Sequence, residues 1–85
     1  MTSVVQMGVR VVDGECMPVP DLEVGARFKY EHIPSSWCSE CTDGDGLALF
    51  HDEHPEPPIE VTFYVDDQPC DTFPVEDGAT LVLEL

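Results

Sequence analysis

The chain has 85 residues, 42% of them apolar, with 18 acidic side chains against 3 basic ones and a formal net charge of −15. That length fits one small domain with a thin core, and the apolar fraction argues against disorder. Arg10, Arg27 and Lys29 are the whole cationic complement, so there is no surface to release counterions from a phosphate backbone; nucleic acid is excluded as a partner and anionic membranes are disfavoured.

Strand signals run the length of the chain. Val4 to Val12 is β-branched and alternates, with Val5, Met7, Val9 and Val11 on one face. Asp13-Gly14 opens a loop closed by Pro18 and Pro20. Leu22 to Tyr30 alternates again, placing Leu22, Val24, Ala26, Phe28 and Tyr30 inward and Arg27 and Lys29 outward, where acidic side chains would meet them across the sheet. Glu31 to Gly46 reads as the longest irregular stretch; it carries His32, Pro34, Trp37, Cys38 and Cys41. Thr42-Asp43-Gly44-Asp45-Gly46 then leads into a short strand, Leu47 to His51. Asp52 to Pro58 reads as a turn, because its three prolines stop helix and ladder alike. Ile59 to Val65 alternates, with Ile59, Val61, Phe63 and Val65 inward. Asp66 to Gly78 turns, around a short strand near Asp71 to Val75, and Ala79 to Leu85 is a final strand with Leu81, Leu83 and Leu85 on one face. No stretch has helical periodicity. Six to seven short strands at this spacing predict an all-β fold, a sandwich or small barrel, as one domain over residues 1–85.

The two turns carry a resemblance. Asp13-Gly14, Pro18-Val19 and the strand Leu22 to Tyr30, followed by Thr42-Asp43-Gly44-Asp45-Gly46 and the strand ending at Phe50, resemble the carboxypeptidase regulatory-like, transthyretin-like domain. The resemblance spans Val4 to Val65 and rests on turn chemistry: a glycine supplies positive φ, and Thr42 or Asp43 bonds the turn's own backbone. It implies a single antiparallel β-sandwich of transthyretin-like or immunoglobulin-like type, in a family whose members are mostly non-catalytic modules that pack on neighbours, bind ligands or extend assemblies. The cysteines, the tryptophan-bearing loop and the absence of a signal peptide depart from the family's pattern.

Four cysteines are the first chemical candidates. Cys38-Ser39-Glu40-Cys41 has the spacing of half a zinc site, and Cys16 and Cys70, on predicted loops, would complete it. The alternatives are two disulfides or four reduced thiols packed as small hydrophobes. Met1 to Gln6 lacks a basic n-region and an apolar h-region, and no run nears the ~20 residues of a membrane span; with Met1 as the natural start, that predicts a cytoplasmic protein, in which reduced thiols or zinc are favoured over disulfides. His51-Asp52-Glu53-His54 has no metalloprotease spacing, and its histidines read as exposed turn residues. Asp43-Gly44-Asp45-Gly46 lacks the closing glutamate and flanking helices of a calcium loop and reads as a turn. Trp37, the one tryptophan, either folds back over a core edge or anchors an interface; a thin core favours the former. No nucleophile–base arrangement stands out, so the expectation is no enzyme and no cofactor, zinc aside. The expected function is a non-catalytic module for protein binding or structural assembly, with His32, Pro34 and Trp37 as the partner-binding residues. The competing function is a small zinc protein using Cys16, Cys38, Cys41 and Cys70. The sequence leaves the oligomeric state open.

Overall fold

The computed structural model describes residues 2–85. Met1, on which the localisation expectation turns, lies outside them. Seven strands are present: β1 (Ser3–Val12), β2 (Glu23–Lys29), β3 (Ser36–Cys41), β4 (Leu47–His54), β5 (Glu60–Val65), β6 (Gln68–Pro74) and β7 (Thr80–Glu84). They form a β-sandwich of two sheets, one in the order β4-β1-β7 and the other β3-β2-β5-β6. Among the described residues, no helix is long and apolar enough to cross a membrane.

The alternation sets the inner faces. Val5, Met7, Val9 and Val11 of β1 are buried, as are Val24, Ala26 and Phe28 of β2 and Val61, Phe63 and Val65 of β5. Each large side chain among them contributes about 1.5–3 kcal/mol relative to exposure. The sheets meet through rings: Phe50 of β4 lies 5.7 Å from Phe63 of β5, which in turn lies 5.9 Å from Phe73 of β6 in its own sheet, centroid to centroid. Two inward assignments do not hold. Ile59, which precedes β5, is 46% exposed, and Leu85, which follows β7, is 50% exposed.

Three elements differ from the sequence reading. The stretch expected to be irregular contains β3, which pairs antiparallel along β2 from Glu23↔Cys41 to Phe28↔Ser36. Its Ser-Trp-Cys-Ser-Glu-Cys sequence has no apolar alternation because it is an edge strand with little to bury. β4 continues past His51 to His54, so the turn starts only at the prolines. β7 pairs parallel to β1, from Gly8↔Thr80 to Val12↔Glu84, so the sandwich is not wholly antiparallel. The chain crosses from β6 in one sheet to the edge of the other and enters β7 in the direction of β1.

The two Asp-Gly turns share one geometry. Asp13 Oδ1 accepts the N–H of Glu15 (2.8 Å) and Met17 (3.0 Å), and Asp43 Oδ1 accepts those of Asp45 (2.8 Å) and Leu47 (3.0 Å). These bonds hold the Asp43 carboxyl below its ordinary value. The fourth residue of each turn is left-handed: Cys16 at φ 63° and Gly46 at φ 74°. Thr42 does not brace its own turn. Its hydroxyl donates to the Val19 carbonyl (2.6 Å) and accepts the Leu22 N–H (2.9 Å), clamping the β1–β2 loop to the second turn.

Candidate functional site

A polar cluster sits between the sheets where β2 ends, β3 begins and β4 ends. Tyr30, one residue past β2, donates its phenolic proton to Asp52 Oδ1. Ser36 Oγ lies 2.8 Å from the same phenol and 3.4 Å from Asp52 Oδ1. His54 Nδ1 lies 2.8 Å from the phenol and 3.0 Å from Asp52 Oδ1. Asp52 is 4% exposed, and its Oδ2 is buried without a partner. Burial, then the bond to Asp52, pushes the Tyr30 phenol well above its ordinary value. Cys38, the next inward residue of β3, is pushed up to about 11 by burial, with the charges of Asp52 and Glu40 adding to it. Both groups stay protonated at neutral pH.

The expectation of exposed turn histidines fails on the turn, since both His51 and His54 lie on β4; His51 is exposed, whereas His54 is half-buried beside Asp52. β4 carries its alternation two residues further than its apolar content reveals, so Asp52 takes an inward position after Ala48 and Phe50. The serine hydroxyl meets the tyrosine and the carboxylate rather than the imidazole. The cluster therefore fixes protons in place and ties β3 to the opposite sheet.

With Ser36 held inward, the period of the strand turns Trp37 outward. The indole does not cap the core. It lies over Gly25 on the outer face of the four-stranded sheet and is 55% exposed. A Cβ at position 25 would sit 2.2 Å from the indole Cη2, so only glycine leaves room for the ring. Tyr64, the β5 partner of Gly25, meets the indole edge-on at a centroid distance of 5.0 Å and an angle of 65°. To one side of this pair is a cleft of about 200 Å³ lined by Glu23, Gly25, Asp66 and Asp67 as well as the two rings. To the other is a groove of about 390 Å³ that includes Arg27 and Ser35. Arg27 Nε reaches Ser35 Oγ at 3.2 Å. Of the outward bases expected to meet acids across the sheet, Lys29 faces Glu60 without closing to an ion pair, whereas Arg27 has Trp37 and Thr62 as neighbours; every ion pair among the described residues uses a histidine.

His32 and Pro34 lie exposed in the loop leading to β3. Backbone N–H groups of Glu31 and His32 donate to the Glu56 carboxylate at 3.2 Å, which anchors this loop to the one after β4. The structure thus places His32 and Pro34 in the loop that leads into β3 and Trp37.

The cysteines do not come together. Cys38 points toward the core and Cys41, three residues on along a strand, points away from it. Cys70 is not on a loop. It is the extra residue of a bulge in β6, at the opposite edge of the sheet from β3. Cys16 lies in the first Asp-Gly turn. All four are free thiols, and no group of three or more His, Cys, Asp or Glu side chains among the described residues is placed to hold a metal ion.

Sequence reasoning missed Tyr30, Asp52 and Ser36 as one cluster, and Gly25 and Tyr64 as the seat of Trp37. Gly25 was the available signal: a glycine within an alternating strand marks a close approach. The cluster had no such signal, because its members are joined only by the packing of two sheets.

No family model and no curated protein matches the chain. Among solved structures, it resembles a 9R-lipoxygenase from Cyanothece PCC8801, with a TM-score of 0.52 and 14% identity over 94% of this chain. The match covers 16% of the lipoxygenase chain, so this chain spans about a sixth of that protein's length. The likeness concerns the two-sheet fold alone.

Proposed function

We propose that this domain is a non-catalytic β-sandwich module of transthyretin-like type that binds a protein partner through the outer face of its four-stranded sheet. The observation that carries this reading is Trp37, exposed on a seat made by Gly25 and buttressed by Tyr64. A glycine in mid-strand costs roughly 0.5–1 kcal/mol relative to alanine. Here that cost leaves room for the largest side chain of the protein to rest at the surface against the sheet. Rigid exposed aromatic rings of this kind lose little entropy on docking and dominate the energetics of interfaces. Ser35, which follows His32 and Pro34 in the loop before β3, lines the groove on the same face.

The test is capture of partners from extracts of the source cells on immobilised domain. Trp37→Ala should lose partners that the wild-type domain retains. Val82→Ser, which removes an exposed apolar side chain from the other sheet, should keep them. Identical partner sets on wild-type and Trp37→Ala domain would remove the basis for this reading.

A further inference from the structure

The cleft beside Trp37 has a composition of its own. Its walls are two aromatic rings and three carboxylates, those of Glu23, Asp66 and Asp67. None of these carboxylates forms an ion pair or accepts a hydrogen bond among the described residues, although Arg27 and Lys29 share the sheet face. Arg27 is turned to Ser35, and it lines the neighbouring groove rather than this cleft. Glu23 and Asp66 line this cleft and not the groove, whereas Asp67 borders both, so the acidic side of the indole is the one bearing Glu23 and Asp66 and Arg27 lies on the other. Asp66 and Asp67 form a two-residue hairpin turn with φ 53° and 63°, so the register of β5 and β6 fixes where their carboxylates project.

An indole face with carboxylates around it suits an organic cation, since the ring quadrupole and the rim charges attract the same sign. We propose that this cleft receives the guanidinium or ammonium group of an arginine- or lysine-bearing segment of the protein partner. This deepens the preceding reading and rests on it. This arrangement also gives the bound segment a polarity, with its basic residue on the side of Glu23 and Asp66 and any acidic residue toward Arg27 and Lys29.

Trp37, the only tryptophan, reports on its own cleft by fluorescence. A short blocked peptide of alternating arginine and glycine is titrated into the domain at about 0.15 M salt, where the screening length is about 8 Å. Its glutamate–glycine counterpart is the control. A saturable change in emission is expected with the basic peptide only. The double variant Asp66→Asn, Asp67→Asn should weaken binding on the order of ten-fold, since each rim charge is worth up to about a factor of five. Asparagine tolerates the left-handed turn, so the fold is kept. Gly25→Ala should weaken binding with every charge in place, because the methyl group displaces the indole. Removing two charges from the other sheet, Glu53→Gln with Glu84→Gln, should change affinity by less than about two-fold, as β4 and β7 belong to the sheet that does not carry the cleft and salt screens distant charges. No saturable change, or equal weakening by the distal pair, would overturn the proposal. Cellular capture separates the two readings. Partners lost by Trp37→Ala but kept by the paired asparagine variant remove the cation cleft and leave the binding face standing, whereas partners kept by both remove the face as well.

Discussion

At the scale of single residues, the informative positions are those where the backbone leaves the ordinary regions. The two Asp-Gly turns have the same hydrogen bonds, yet one places Cys16 and the other Gly46 at the left-handed position. Cβ crowding makes that conformation costly for cysteine. Cys16→Gly is expected to stabilise the domain by about 0.5–1 kcal/mol, somewhat less than the relief of crowding because glycine gives the unfolded chain more freedom. For a domain of this size that is a rise in melting temperature of several degrees, about 4–8 °C per kcal/mol. Gly46→Ala should do the opposite and more strongly, because a Cβ there would lie 2.6 Å from the Val11 carbonyl oxygen. Thermal melts of the two variants check both signs; a destabilised Cys16→Gly would mean that the thiol makes contacts worth more than the strained backbone.

At the scale of elements, β3 depends on what holds it. It is an edge strand with few apolar residues, joined to β2 by its ladder and to β4 by the Tyr30, Ser36 and Asp52 bonds. Tyr30→Phe leaves the buried Asp52 carboxylate without its phenolic donor and should cost about 1–3 kcal/mol. Amide exchange over Ser36–Cys41 should quicken more than exchange at the centre of β1, which is held on both sides. Uniform quickening would mean that the cluster supports the whole fold rather than this strand. The same packing makes Cys38 the slowest thiol. Its half-buried sulfur, pushed up to about 11, should be alkylated well after exposed Cys16, Cys41 and Cys70, as mass spectrometry of partly modified protein can read. The strands with clean alternation, β1, β2 and β5, were legible in the residues. β3 was not, because a strand that buries little has no reason to alternate.

At the scale of the whole molecule, charge and protonation set the conditions for stability. With a net charge of −15, self-repulsion opposes the folded state, and screening relieves it. Sodium chloride raised from low salt to a few tenths molar should increase the urea midpoint, and a flat or falling midpoint would remove self-repulsion as a factor. Alkali should act the other way. Cys38 and Tyr30 are both raised in the folded state, so the unfolded chain releases these protons first. Their contribution is intact below the ordinary thiol value of about 8.5 and the ordinary phenol value of about 10. The thiol's share is lost as pH climbs to about 11, and the phenol's above that. Urea melts across the alkaline range should show this decline, and Cys38→Ala should flatten its first part. Acid has a smaller effect of opposite sense: the Asp43 carboxyl is lowered by its turn amides, so its contribution is present above the ordinary carboxyl range and fades as pH falls through it.

The residues by themselves determined the strands that bury a face, because alternation such as Val5-Met7-Val9-Val11 states which side is apolar. They also determined the two turns, because Asp and Gly at those spacings supply the backbone's own bonds and its left-handed position. Only the tertiary structure decided which strands pair. It placed β7 parallel to β1, buried Asp52 beside Tyr30, separated the four cysteines and put Trp37 on the outer face over Gly25. Such facts depend on register between segments far apart in the chain, and a slip of one residue would exchange the two faces of β3. The proposed binding face is therefore a property of the sandwich, although every residue in it is plain in the sequence.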